Sequence, residues 1–548
     1  MLRAIELENF KAFGERTRIE FAPITLIFGE NSAGKSSILQ ALSLLKQTRD
    51  GRDKGTLLVP RTDGGIVDLG GFREMVFDHD LNRSVSIRVD FASEQSYRSR
   101  SALSAANVKE TANFVGFEVQ LKRPSEDDEV QLESLTLHSS AAAGRVAEFR
   151  PIDLPLDQLR KMSRDSQAML RSHRITRPSE IRAARCSFLT SDTLFWAEIF
   201  ERTKRRSKRI AEELGQLQAE VHQEPKQHSP FREVEVDQQQ WLTGIEAAIQ
   251  FYKSDFSSDE FIDRMMLAEI QTIVALDGFV PLPIREREFG GLPELETFRR
   301  YGPTRIRMRD LTLDLMAFAV ECGSTLDTTL ENIYPMGPYR RPPERWYMFT
   351  GTSPQDVGYR GDHLPDLLFR RPDIVSETNQ WLDKLEIGYH LKVQSVGERS
   401  RDLFEVRLID RRRGGDIDIA LTDVGFGISQ ILPFIVQCLA GERQIITIEQ
   451  PEVHIHPRLQ ADLGDLLAAT VREPRGHRFV IETHSEHLVL RMQRLIRHGQ
   501  LTPDDVSVLY VRRGVNGSRV ERLHIDNDGD FIDDWPGGFF PERLRELM

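Results

Sequence analysis

The chain has 548 residues, 39% of them hydrophobic, and a formal net charge of −12. This length exceeds one ordinary domain, so we expect two or three domains, and the net charge excludes a uniformly basic protein that coats nucleic acid while leaving room for a local basic patch. No apolar stretch reaches the roughly 18 residues of a membrane span, and the charged N-terminus does not resemble a signal peptide, so the sequence predicts a cytoplasmic protein without membrane contact.

The first 90 residues carry the signals of an α/β unit. Alternating apolar residues predict a strand over 4–10, and an apolar run predicts a second strand over 24–28. Helical spacing of apolar residues then predicts a helix that begins at Lys35.

The loop between the second strand and this helix reads GENSAGKS and fits the phosphate-loop pattern G-x-x-x-x-G-K-[ST]. In such a loop the glycines let backbone N–H groups approach phosphates, and the helix N-terminus adds the positive end of its dipole. Lys35 is expected to reach the β and γ phosphates, and the Ser36 hydroxyl to ligate magnesium. The sequence therefore predicts a site for ATP and Mg²⁺ formed by Gly29, Asn31, Ser32, Ala33, Gly34, Lys35, Ser36 and Ser37.

Residues 91–384 differ in character and are interpreted as a large, mainly helical insertion. Within 195–255, two stretches with apolar residues at four-three-four spacing flank a polar connector, which predicts a short helical hairpin. Both a short coiled coil and ordinary packed helices explain this spacing.

The densest basic segment, Lys204 to Arg209, lies on the first helix of that hairpin. Contact with nucleic-acid phosphates would explain it and would give salt-sensitive binding. A solvated helix face and the docking of an acidic partner protein are the alternatives.

Strand signals return over 385–500, together with the segments LTDVGFGISQILP, IITIEQPEVHIHP and FVIETHSEHL. Over 501–548, two alternating strands flank an Asn-Gly pair, which predicts a hairpin followed by an acidic tail region.

In this order, and split by a large insertion, the phosphate loop and these three segments resemble the ABC-type ATPase heads of the SMC, Rad50 and RecF group. Within that group the chain looks most like the overcoming-lysogenization-defect (OLD) type and the Septu-type ATPases of bacterial antiphage systems, including those encoded beside retrons. The likeness covers roughly residues 1–90 and 385–548. It implies an α/β fold, an ABC-type head split by the insertion, and a homodimer that sandwiches ATP between two heads.

The resemblance also implies roles for particular residues. Gly425, Gly427 and Ser429 look like the signature loop that reaches the partner's ATP, although DVGFGISQ departs from the usual LSGGQ form. Glu449 is similar to the Walker B acid that holds magnesium. His484 is similar to the switch histidine that contacts the γ-phosphate.

Gln450 follows the Walker B acid, at the position where ATPases of this group usually carry a glutamate. An amide orients a water molecule but does not accept its proton. Because positioning and charge stabilisation provide most of the catalysis in phosphoryl transfer, slow but real ATP hydrolysis is expected. Glu452 is a further candidate proton acceptor if the loop turns it inward.

The resemblance implies that the protein is a sensor or regulatory subunit of an antiphage complex, with a separate nuclease subunit of the HNH type. The alternative function is a stand-alone RecF-like ATPase that acts directly on DNA in repair or recombination. A transporter subunit is disfavoured by the large insertion and by the lack of a coupling membrane segment.

Overall fold

The structure is a computed structural model that describes residues 2–51, 57–92, 114–125, 129–139, 144–152, 181–188, 193–223, 238–253, 271–277, 280–281, 314–315, 318–319, 321–397, 402–412 and 417–536. The strands are β1 (Leu2–Glu8), β2 (Thr17–Glu20), β3 (Ile24–Gly29), β4 (Val85–Ala92), β5 (Phe114–Lys122), β6 (Gln131–Ser139), β7 (Gly144–Ile152), β8 (Ile181–Phe188), β9 (Gln271–Asp277), β10 (Val280–Pro281), β11 (Ile333–Met336), β12 (Tyr347–Met348), β13 (Tyr389–Ser395), β14 (Leu403–Asp410), β15 (Ile417–Ala420), β16 (Ile445–Glu449), β17 (Arg478–Glu482), β18 (Val506–Gly514) and β19 (Gly517–Leu523). The named α-helices are α1 (Lys35–Asp50), α2 (Phe72–Met75), α3 (Thr193–Gln223), α4 (Gln238–Lys253), α5 (Leu364–Arg370), α6 (Pro372–Lys384), α7 (Phe426–Ala440), α8 (Pro457–Val471) and α9 (Glu486–Arg497).

A six-stranded sheet in the order β11-β16-β17-β3-β18-β19 forms the centre of the head. The first five strands of that order are parallel, and only β19 runs antiparallel to its neighbour. Strands buried on both faces need continuous apolar runs, and β3 and β16 have them. The carboxyl ends of β3, β16 and β17 therefore meet at one edge of the sheet, where ligands bind in open parallel sheets.

A nine-stranded antiparallel sheet, in the order β10-β9-β8-β7-β6-β5-β4-β1-β2, lies beside this centre. The large side chains of Phe91, Phe117 and Phe149 are fully buried and share one core with the apolar face of α1. A second core joins the other face of the central sheet to helices α5 to α9 and to a small sheet formed by β12, β13, β14 and β15.

The predicted α/β fold, a head split by a helical insertion, is confirmed. Its helical part includes the pair α3 and α4, which pack against each other with Ile210, Leu214, Ile245 and Ala248 buried. The side chains of Leu217, Val221 and Trp241, which follow the same spacing, lie outside the described set. No described helix is long and apolar enough to span a membrane.

The predicted extent of the insertion, however, differs from the structure. Strands β5 to β9 continue the antiparallel sheet beyond residue 90, and β11 pairs with β16 in the central sheet well before residue 385. The sequence signal of some of these strands is weak. In β8, for example, Ala184 and Cys186 provide the buried positions, and such small side chains give little apolar alternation.

Candidate nucleotide site

The phosphate loop lies between β3 and α1, as the motif requires. The residues predicted for it run from the end of β3 through the turn into the first turn of α1, namely Gly29, Asn31, Ser32, Ala33, Gly34, Lys35, Ser36 and Ser37. Gly29 and Gly34 have φ angles of +141° and +96°, which L side chains rarely adopt. A Cβ atom on Gly29 would lie 1.9 Å from the carbonyl oxygen of Val511 on the neighbouring strand, so glycine is required there.

Gly29→Ala is accordingly expected to destabilise the fold by about 2–6 kcal/mol, because backbone strain and overpacking add at one position. The melting temperature of the variant measures this loss. Gly64→Ala is the matched control, since Gly64 also has a positive φ of +70° but has open space around its missing Cβ. Equal melting temperatures for the two variants would contradict the required close approach.

Lys35 folds back over the loop that precedes it. Its Nζ atom donates hydrogen bonds to the carbonyl oxygens of Gly29 at 3.1 Å and Glu30 at 2.8 Å, and the residue is only 4% exposed. Burial lowers the pKa of Lys35, while the Glu482 carboxylate acts in the opposite direction. The ammonium group is thus held at the loop, where a phosphate could replace the neutral carbonyl acceptors.

Two carboxylates end the neighbouring parallel strands β16 and β17. Glu449 and Glu482 are paired in the register of these strands, and the Ser36 hydroxyl donates a hydrogen bond to Glu482. Burial raises the pKa of both groups, and the proximity of Glu482 contributes to raising that of Glu449 to about 7. Sequence reasoning missed Glu482. Its signal was the carboxylate that ends the apolar strand FVI, two residues before the predicted switch histidine.

Ser36, Glu449 and Glu482 suit magnesium because they offer the hard oxygen ligands that this ion prefers. One oxygen of Glu482 is buried and has no hydrogen-bond partner, so the protein leaves an acceptor unused at this point. Among the described residues no group of three or more His, Cys, Asp and Glu side chains could hold a metal ion by itself. Bound magnesium would supply positive charge beside the phosphates, with phosphate and water oxygens completing its ligands.

Mg-ATP affinity is expected to depend on pH through Glu449, because the proton on a carboxylate of pKa about 7 competes with the metal. The ionised form binds metal, so affinity should fall by about tenfold per pH unit below 7 and level off above it. Titration of a fluorescent ATP analogue between pH 5.5 and 8.5 measures this. Glu449→Gln provides the control for the titration of the nucleotide itself, and identical slopes for variant and wild type would contradict the assignment.

Gln450 and Glu452 lie on the turn after β16, and the turn brings Glu452 inward. Gln450 has a positive φ of 45°, and its backbone N–H donates to the carbonyl oxygen of Glu482 at 2.8 Å. The Oε1 atom of Glu452 accepts a hydrogen bond from the backbone N–H of His484 at 2.7 Å. Its Oε2 atom is buried without a partner, and burial raises the pKa of this carboxyl group.

His484 follows β17 and presents an exposed ring at the same edge of the sheet. Partial desolvation and the nearby Lys35 ammonium lower the pKa of His484, which favours the neutral imidazole. The next residue, Ser485, caps helix α9 by accepting from the N–H of Leu488, so the position of His484 is fixed by a helix start. His484 therefore lies next to Glu452, which accepts its backbone N–H, and close to the Lys35 ammonium group.

The predicted signature residues lie at the start of α7. Gly425 is the N-cap residue, and a side chain there would meet open space. Gly427 packs against the carbonyl oxygen of His454, which a Cβ atom would approach to 2.8 Å, and Ser429 is buried. The predicted signature segment therefore contacts the loop after β16.

Comparison with protein families identifies this arrangement. Residues 1–168 and 371–489, together more than half of the chain, match the family described as AAA ATPase domain. The chain belongs to the AAA ATPase domain family. Residues 501–548 match a second family, described as a protein of unknown function (DUF3696). No curated protein matches the chain.

Solved structures similar to this AAA ATPase domain include SMC heads. An Smc head domain with an extended coiled coil, bound to the C-terminal domain of ScpA and derived from Pyrococcus furiosus, shares 11% identity, with 95% of this chain and 96% of that chain covered and a TM-score of 0.38. The SMC head domain from Thermotoga maritima shares 10% identity, with coverages of 96% and 99% and a TM-score of 0.35.

The C-terminal hairpin of this AAA ATPase chain forms hydrogen bonds to the phosphate loop. Strand β18 pairs with β3 within the central sheet, so the hairpin is part of the head. The Ser518 hydroxyl donates to the carbonyl oxygen of Ala33 at 2.6 Å, and Nε of Arg513 donates to that of Ser32 at 3.3 Å. Sequence reasoning predicted the hairpin but not these contacts, which have no local sequence signal.

The basic segment Lys204 to Arg209 does not form a uniformly exposed patch. Arg206 is buried and forms a salt bridge with Asp314 at 2.6 Å, so this cation has a structural partner. Lys204, Arg205 and Lys208 are exposed. The segment therefore divides between packing inside the insertion and a solvent-facing side.

Proposed function

We propose that the protein is a slow ATPase switch that dimerises through its nucleotide sites. The supporting observation is the set of groups at the carboxyl edge of the central sheet. The phosphate loop, Glu449 and Glu482 offer phosphate and magnesium ligands, while the residue after the Walker B acid is an amide. ATP and Mg²⁺ are the cofactors that fit this set.

Hydrolysis in this proposal uses Gln450 to orient the attacking water and Glu452 to accept its proton. Oε2 of Glu452 is buried with no hydrogen-bond partner among the described residues, and burial raises the pKa of this carboxyl group, which makes it a better base than an ordinary surface carboxylate. His484, neutral beside Lys35, donates to the terminal phosphate. With a single amide to position water, turnover is slow and the ATP-bound state is long-lived.

Dimerisation in this proposal places Gly425, Gly427 and Ser429 of one chain against the ATP of the second copy. The open space at Gly425 supports this, because the start of α7 is accessible there. Sedimentation of the full chain with and without Mg-ATP tests it. Gly425→Arg is expected to abolish ATP-dependent dimerisation, since its φ of −56° accepts any residue, and Gly215→Arg, also in open space, is the matched control.

The biological role that we propose is regulation of a partner nuclease, of the HNH type, in a bacterial antiphage complex. This part rests on the resemblance to Septu-type and OLD-type ATPases. Copurification of the protein with the products of neighbouring genes, with and without ATP, tests it. Isolation of the chain alone under both conditions would contradict a nuclease complex.

The second candidate function is direct action on DNA, as in RecF-like repair ATPases. The exposed cations Lys204, Arg205 and Lys208 on α3 favour it, because they can contact phosphates. Stimulation of ATP turnover by DNA, without any partner protein, would favour this function over the first.

A further inference from the structure

Arg340 is a buried cation with unused hydrogen-bond donors. The residue is 7% exposed, whereas its neighbours Tyr339 and Arg341 are exposed. Its Nε and Nη1 atoms are buried and have no hydrogen-bond partner. Since buried polar groups are nearly always paired, a guanidinium left in this state calls for a functional explanation.

The guanidinium lies in the field of the Walker B carboxylate. Glu449 and the Tyr359 hydroxyl are the groups that act electrostatically on Arg340, while burial lowers the pKa of Arg340 to about 10. Within the described part of the chain, neither Nε nor Nη1 of Arg340 bonds to Glu449. Arg340 therefore interacts electrostatically with Glu449 without a hydrogen bond to it from either of these two atoms.

The backbone around Arg340 is held on two sides. The segment follows β11, and the Gly337 N–H donates to the Tyr359 carbonyl oxygen at 3.0 Å, with the tyrosine ring packed where a Cβ on Gly337 would lie. On the other side, the Arg340 N–H donates to Oε1 of Gln430 at 3.3 Å. Gln430 lies on the first turns of α7, directly after the signature residue Ser429.

We infer that Arg340 is a positioning residue that links the occupancy of the Walker B site to the start of helix α7. The inference deepens the proposed function and rests on it. Without nucleotide, the Glu449 carboxylate acts electrostatically on the Arg340 guanidinium, whose Nε and Nη1 atoms have no hydrogen-bond partner among the described residues. When Glu449 ligates magnesium, its negative charge is shared with the metal, and the balance of forces on Arg340 changes. The hydrogen bond from the Arg340 backbone N–H to the Gln430 side chain couples a shift of Arg340 to the signature residues at the start of α7.

Hydrogen–deuterium exchange of α7, with and without Mg-ATP, tests the link on the full chain. In the wild type, Mg-ATP is expected to slow exchange at the first turns of α7 by about fivefold or more, a typical size for coupling between sites. Arg340→Met keeps the volume and removes the charge, so its response should fall below about twofold while its ATP affinity stays within about threefold of wild type. Arg340→Lys should recover part of the response.

Arg341→Met is the matched control, because Arg341 is exposed and its guanidinium pairs with Glu344 at the surface. Gln430→Ala, which keeps the cation and removes the bond to α7, gives a second route to the same loss if Arg340→Met does not fold. An unchanged response in Arg340→Met or Gln430→Ala would overturn the link. Loss of ATP binding in Arg340→Met would also overturn it, by making Arg340 a nucleotide ligand. Failure of the wild type to bind Mg-ATP would overturn the proposed function itself.

Discussion

Lys35→Ala is expected to weaken Mg-ATP binding by about a hundredfold or more. In the structure Lys35 is buried, and the hydrogen bonds of its ammonium group to described residues go to the neutral carbonyl oxygens of Gly29 and Glu30. Phosphate oxygens would replace these acceptors with charged ones, and truncation of one partner in such a buried charged pair typically costs about 2–5 kcal/mol. Titration of a fluorescent ATP analogue gives the affinity directly.

Lys46→Ala is the control for this variant. Lys46 lies on the same helix α1, but its Nζ atom donates to the carbonyl oxygen of Glu331 and pairs with Asp50, away from the loop. Its removal should leave ATP affinity unchanged within about twofold, because both of these partners lie away from the loop and the ion pair with Asp50 is partly solvated. Equal loss of affinity in both variants would mean that α1, rather than the phosphate loop, has been damaged.

Glu452→Gln is expected to lower ATP turnover by about a hundredfold or more, as typical for the loss of a general base. The amide keeps the shape of the side chain and still accepts from the His484 N–H, so ATP affinity should be preserved. Because burial raises the pKa of Glu452, wild-type turnover should also increase as the pH rises through that value and the carboxylate ionises. Steady-state phosphate release at a series of pH values measures both effects.

Glu405→Gln provides a control for this substitution, since Glu405 lies on β14, where it pairs with Arg407, and outside the nucleotide site. Turnover in Glu452→Gln equal to that of wild type would exclude Glu452 as the proton acceptor. In that case Gln450 would hold the water without help from a base, and the remaining catalysis would come from charge stabilisation around the phosphates.

The parts of the site that could be predicted from sequence are those in which chemistry and local structure coincide. The glycines and Lys35 occur within eight consecutive residues, and the strand that ends at Glu449 is mostly isoleucine. A parallel sheet with crossover helices then brings these strand ends together. Local pattern was sufficient for this much of the fold.

The remainder depends on contacts between distant parts of the chain. Ser518 supports Ala33 across 485 residues, and Arg340 reaches Gln430 across 90. Strand β11 belongs to the central sheet only because it pairs with β16, and four residues with the sequence IYPM carry no such information. The inward turn of Glu452 was left open by the sequence and is decided by its bond to His484.

The central claim is that this ATP site, with Gln450 in place of a glutamate, hydrolyses ATP slowly and holds it for long periods. Steady-state ATP turnover of the purified full chain, with Lys35→Ala as the blank, tests this most directly. Wild-type turnover is expected to lie below about 1 per second, at the low end for enzymes, and clearly above the turnover of Lys35→Ala. Turnover equal to the blank, or a rapid rate well above that range, would contradict it.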